Sequence, residues 1–134
     1  MKVIGVGNEW RSDDGAGLEV ARRLGGRQLQ GEPIGLVEAF DGADEVAIVD
    51  AVFSGAPPGT VHEFEAGADP LPVTVFGSSS THALGLAEAI EIARSLGRLP
   101  ARVRVMGIEG ARFDYGRGLS PEVEKAVERC TRSI

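Results

Sequence analysis

Three observations predict an α/β three-layer sandwich for this 134-residue chain, with a mostly parallel, twisted sheet of about five strands and helices on both faces. Short β-branched runs alternate with segments of helical periodicity. Turn residues punctuate nearly every junction. No repeat or low-complexity linker interrupts the order. The length and the 43% hydrophobic content suit one buried core, so residues 1–134 are expected to form a single domain.

The first strand is Lys2 to Val6, an apolar run that meets glycines as a buried parallel strand does before its turn. A helix should follow from Gly15 to Leu24, with Leu18, Val20, Ala21 and Leu24 at helical spacing, Ser12 or Asp13 as cap and Gly25-Gly26 as stop. Arg27 to Gln30 reads as a weak strand, and a short helix around Leu36, Val37 and Phe40 ends near Asp41-Gly42. "VAIVDAV", Val46 to Val52, is the strongest strand, interrupted only by Asp50. After Pro57-Pro58-Gly59, the alternation of Thr60 to Glu65 fits an edge strand, and Gly67 to Ser80 reads as loop. Ala83, Leu86, Ala87, Ile90, Ala93 and Leu96 make one apolar face of a helix from His82 to Leu96, capped by Ser80 or Thr81. Arg102 to Ile108 is the last strand. Ser120-Pro121 then starts a helix whose buried stripe is Val123, Ala126, Val127 and Cys130.

Composition excludes several functions. Lys and Arg number 14 against 20 Asp and Glu, a formal charge of −6, and no basic stripe breaks that balance, so neither nucleic acid nor an anionic membrane is an expected partner. The opening "MKVIGVGNEW" turns polar too soon for a signal peptide, and no apolar run approaches a membrane span, which places the protein in the cytoplasm. One cysteine, Cys130, allows no internal disulfide or multi-thiolate metal site, and its place on a helical stripe assigns it to packing.

Ligands of such folds bind beyond the carboxyl ends of the strands. Three side chains suited to a divalent transition metal fall at that edge: Asp14 after the first strand, Asp50 in "VAIVD" and His82 at the start of the long helix. Singly, each has a plainer role: Asp14 complements a helix dipole, Asp50 is a structural carboxylate with a local partner, and His82 caps a helix. Together they point to a shared site. His62, inside the alternating edge strand, is assigned to the surface. The glycine-rich turn is no dinucleotide fingerprint, because Gly5-Val6-Gly7-Asn8-Glu9-Trp10 lacks the third glycine. Neither a Walker A loop nor a Gly-x-Ser-x-Gly elbow is present.

In chain order, "GVGNEWRSDDGAG", "VDAVFSGAPPGTVHEF", "SSSTHALGLAEAI" and "GIEG" followed by "GLSPEVEKAV" resemble the hydrogenase maturation endopeptidases, which trim the carboxy-terminal extension of a nickel-iron hydrogenase large-subunit precursor. The resemblance covers Lys2 to about Val127 and implies an α/β sandwich and an aspartic-type endopeptidase. It also implies that nickel already inserted in the precursor is the recognition element, contacted by Asp14, Asp50 and His82. On this basis Asp14 and Asp50 are the catalytic candidates, the same three residues are the metal candidates, and nickel arrives with the substrate. The partner is the precursor and the enzyme is expected to be a monomer. The chain departs from the family pattern at Gln30 to Leu36, "QGEPIGL", where a glycine- and threonine-bearing segment is shortened, a change that bears on precursor specificity. Two chemistries stay open: the nickel polarises the scissile carbonyl or a water, or an acid such as Asp14 assists proton transfer. Two other functions also fit: a binding module that docks the precursor without cutting it, and an unrelated small metallohydrolase on the same fold.

Overall fold

The computed structural model describes residues 1–31, 33–67, 69–76 and 85–134. Its five strands are β1 (Lys2–Gly7), β2 (Arg27–Gln30), β3 (Glu45–Val52), β4 (Val61–Glu65) and β5 (Arg102–Glu109). They form one sheet in the order β2-β1-β3-β5-β4, parallel throughout except for β4, which pairs antiparallel with β5 at the edge. The helices are α1 (Ala16–Arg23), α2 (Leu36–Ala39), α3 (Val73–Phe76), α4 (Leu86–Ser95) and α5 (Pro121–Ser133). Among the described residues, no helix is long and apolar enough to cross a membrane.

Strand alternation divides the core in two. Ile48 and Val52 of β3 join Val103 and Val105 of β5 beneath α2 and α4, with Leu36, Ile90 and Ala93. Val49 and Ala51 face the other way, with Met106, Ile108 and the buried stripes of α1 and α5, where Val20, Val123, Val127 and Cys130 pack. The sheet is therefore covered on both faces, as continuous β-branched strands require. Cys130 is buried as expected, and burial pushes its thiol up to about 11.

The glycines of the first block pack α1 against the sheet at distances no side chain allows. A Cβ on Gly5 would lie 2.1 Å from the Gly17 carbonyl oxygen, and one on Gly17 would lie 2.1 Å from the Val49 carbonyl oxygen. Helix α1 thus begins with its backbone directly on β1 and β3. The same logic holds at Gly7, whose Cβ would meet the Asp14 carbonyl oxygen at 2.0 Å.

Several local readings change. The turn before α1 is a 3-10 segment, Ser12–Gly15, and no side chain caps the helix, because the carboxylate of Asp13 is committed elsewhere. Helix α4 starts at Leu86, since Gly85 is extended at φ −80°, ψ 168°, and the expected start at His82 lies outside the described residues. The stretch expected to be loop contains the single turn α3, whose Phe76 is buried against Phe64 with ring centroids 5.5 Å apart. The hydroxyl of Ser120 does not cap α5, although Pro121 opens that helix as expected.

Gly17→Ala forces a methyl into the Val49 carbonyl. The expected loss is on the order of 3 kcal/mol of unfolding free energy, read from urea denaturation. Gly25→Ala, a control in open space at φ +69°, should cost much less.

Candidate active site

The chain leaves β1 for β2 on one side and crosses back to β3 on the other, so the carboxyl ends of β1 and β3 form the switch point of the sheet. The 3-10 turn Ser12–Gly15 sits on that crevice. Ser12 adopts φ +53°, uncommon for a residue with a side chain, and is held there by its amide donating to the Gly116 carbonyl (2.8 Å) and its hydroxyl to the Asp114 carbonyl (2.9 Å).

The two adjacent acids of the turn have different duties. Asp13 is fully buried and accepts four hydrogen bonds: from the amides of Ala111 (2.8 Å), Arg112 (2.9 Å) and Ser120 (2.7 Å) and from the Ser120 hydroxyl (2.8 Å). This carboxylate ties the first turn to the connection between β5 and α5, and it explains why Ser120 caps nothing. Asp14, only 3% exposed, is the acid whose charge acts on Asp50.

Asp50 is the sixth residue of β3 and alternates with Ile48 and Val52 on the face covered by α4. It is 8% exposed, and its Oδ1 accepts the Ala51 amide at 2.8 Å. Burial holds the carboxyl well above the usual range for an aspartate, the negative charge of Asp14 adds to the rise, and the Ala51 amide opposes it. Two carboxylates in one dry crevice repel each other, and a cation or a shared proton relieves that repulsion. The two carboxylates are oxygen donors of the kind a divalent cation takes. His82 lies in 77–84, outside the described residues, and among the described residues no group of three or more His, Cys, Asp or Glu gathers. A polar cleft of about 520 Å³ between Glu9, Leu18, Arg22 and Arg117 lies on the α1 flank and does not include Asp50.

His62 corrects an expectation. It is not a free surface residue: its side chain is 18% exposed and its Nε2 lies 3.1 Å from Oε1 of Glu109, a fully buried carboxylate. Glu109, the last residue of β5, also accepts the Ser54 amide (2.7 Å) and hydroxyl (2.6 Å). An acidic residue ending an apolar strand was the signal in "VMGIEG".

The pair Asp13 and Asp50 gives opposed stability predictions. Asp13→Asn places an amide donor among four donors and should cost about 2–3 kcal/mol in denaturant unfolding. The proton on native Asp50 is held more tightly than in the unfolded chain, so its contribution to stability is present below the unfolded pKa and is lost as pH rises toward the native one. Asp50→Asn should therefore raise the melting temperature at pH 7 and flatten the fall in stability above pH 4.

Comparisons with known proteins agree with this geometry. A family model described as hydrogenase maturation protease matches residues 31–134. The hydrogenase expression/formation protein HupD of Thiocapsa roseopersicina is 30% identical over 98% of the chain, which spans 63% of that protein's length. The hydrogenase 2 maturation protease of Escherichia coli is 27% identical, covering 98% of this chain and 86% of the relative. In structure, the chain superposes on the hydrogenase maturating endopeptidase HybD of E. coli with a TM-score of 0.80 at 26% identity, covering 99% of this chain and 89% of the other. The NiFe hydrogenase maturation protease HybD of Thermococcus kodakarensis gives 0.77 at 27%, covering 99% and 96%. By the family model that matches most of its length and by these relatives, whose five-stranded α/β fold it shares, the chain belongs to the hydrogenase maturation protease family.

Proposed function

We propose that this protein is an endopeptidase that removes the carboxy-terminal extension of a nickel-loaded hydrogenase large-subunit precursor, with Asp14 and Asp50 as the groups that meet the nickel. The observation that carries the reading is the buried, mutually repelling pair Asp14 and Asp50 at the sheet's switch point, in a chain of this family. His82 is the third contact in this proposal, on the strength of the sequence resemblance.

The nickel belongs to the substrate. Held by the precursor's own ligands, it brings positive charge to the two carboxylates, and docking substitutes that charge for the proton Asp50 otherwise keeps. The enzyme's part is to place the chain beside the metal. The acid pair fixes the nickel at the crevice, and the 3-10 turn held by Asp13 keeps Asp14 in place, so that the scissile bond is set beside the metal. In this account the protein works as a monomer in the cytoplasm and gains selectivity because a polypeptide without the metal brings no charge to displace the proton on Asp50.

Intact-mass measurement of purified precursor after incubation tests this directly. Nickel-loaded precursor should lose one carboxy-terminal peptide, nickel-free precursor should stay whole at high enzyme concentration, and unstructured peptides should survive with added nickel. Rapid cleavage of metal-free precursor or short peptides would overturn the substrate-metal role and leave an acid-pair protease. Stable binding of nickel-loaded precursor without any mass change would favour the docking module. The Asp50→Asn protein should fold and cleave at least 100-fold more slowly, consistent with loss of a group that acts only at the reacting centre.

A further inference from the structure

The carboxylate of Glu109 is fully buried, yet it lies at the carboxyl edge of β5, where the sheet opens toward the site. Three donors converge on it: the Ser54 amide at 2.7 Å on Oε2, the Ser54 hydroxyl at 2.6 Å on Oε1 and His62 Nε2 at 3.1 Å on Oε1. The backbone of Glu109 holds the far end of the same connection, its amide donating to the Thr60 carbonyl and its carbonyl accepting the Gly59 amide, both at 2.8 Å. One residue therefore clamps both ends of the segment that joins β3 to β4. A buried carboxylate with three donors is a stiff anchor, since releasing any donor leaves charge unsatisfied out of water.

The segment so clamped carries Phe53, three residues beyond Asp50. Its ring is 64% exposed and touches the structure edge-on against Phe113, with centroids 5.5 Å apart at 73°. Phe113 in turn lies over Gly110, which also borders the Cβ of Asp13. An exposed aromatic ring is thus held at its base by the Ser54–Glu109 bonds and at its edge by Phe113, which packs near Asp13 of the acidic turn.

Resting on the substrate reading above, we infer that Glu109 is a positioning residue that, through Ser54, sets Phe53 as the lip of the active site, where the ring grips the precursor's polypeptide next to the scissile bond. A stiffly held aromatic supplies contact area to a bound strand at low entropic cost. The precursor is the occupant because Phe53 follows Asp50 by three residues, just past the carboxyl end of β3, the sheet edge at which the acids proposed to meet its metal lie.

Steady-state cleavage of nickel-loaded precursor by Phe53→Ala, Phe53→Leu, Ser54→Ala and Glu109→Gln tests the assignment. Phe53→Ala removes an exposed ring and leaves every bond to Glu109 intact, so the protein should melt as wild type while KM rises about 10-fold or more at nearly unchanged kcat. Phe53→Leu should recover part of that loss. Glu109→Gln sets an amide donor against the Ser54 or His62 donors. It should raise KM in the same direction and speed hydrogen exchange at the Ser54 amide, with Ser54→Ala intermediate. Where Glu109→Gln fails to fold, Ser54→Ala and the two Phe53 variants carry the test alone. Unchanged KM in Phe53→Ala, or variants that lose only kcat in proportion to lost folded protein, would overturn the inference. Failure of the wild-type protein to cleave would instead sink the substrate reading on which it rests.

Discussion

Everything in the site hangs on backbone touching backbone where α1 meets the sheet. Gly5 receives the Gly17 carbonyl and Gly17 receives the Val49 carbonyl, each closer than a Cβ permits. Val49 immediately precedes Asp50, and Gly17 follows Asp14 by three residues, so this contact sets the distance between the two acids. With any side chain at these glycines the helix would ride outward, taking Asp14 away from β3. The glycine-rich opening, which looks at first like a phosphate cradle, is instead a packing surface for an acidic turn.

Closeness has an energetic consequence. Asp50 is buried, faces Asp14 and keeps its proton above the usual range, while the neighbouring Asp13, equally buried, is satisfied by four donors. Asp13 ties the turn to the rest of the fold, whereas the charge of Asp14 bears on the buried carboxyl of Asp50. In the proposed function, a metal brought by the substrate displaces the proton on Asp50 only at the moment of docking, so that a requirement for the metal and selectivity for the precursor would have the same physical origin.

Much of this was legible in the sequence because it rests on local pattern. β3 followed from a β-branched run interrupted only by Asp50, and α5 from Ser-Pro and its apolar stripe. The strand order, which creates the switch point between β1 and β3, depends on long-range pairing that periodicity does not encode. Asp13 and Asp14 are indistinguishable as neighbours in "SDDG"; their division of labour comes from donors about a hundred residues away, at Ala111, Arg112 and Ser120. His62 was read as surface because its partner, Glu109, is reached only across the antiparallel β4–β5 pairing. The start of α4 was misplaced because apolar spacing ran through Gly85, where the backbone is extended.

The central claim is that the carboxylates of this protein enter the coordination sphere of a nickel ion that the precursor brings. Nickel K-edge X-ray absorption on the loaded precursor, alone and mixed with enzyme, measures that directly. The account predicts that mixing adds oxygen or nitrogen scatterers at about 2 Å, and that Asp50→Asn and Asp14→Asn enzyme each reduce the gain. A nickel shell that stays unchanged while the precursor is cut would contradict it.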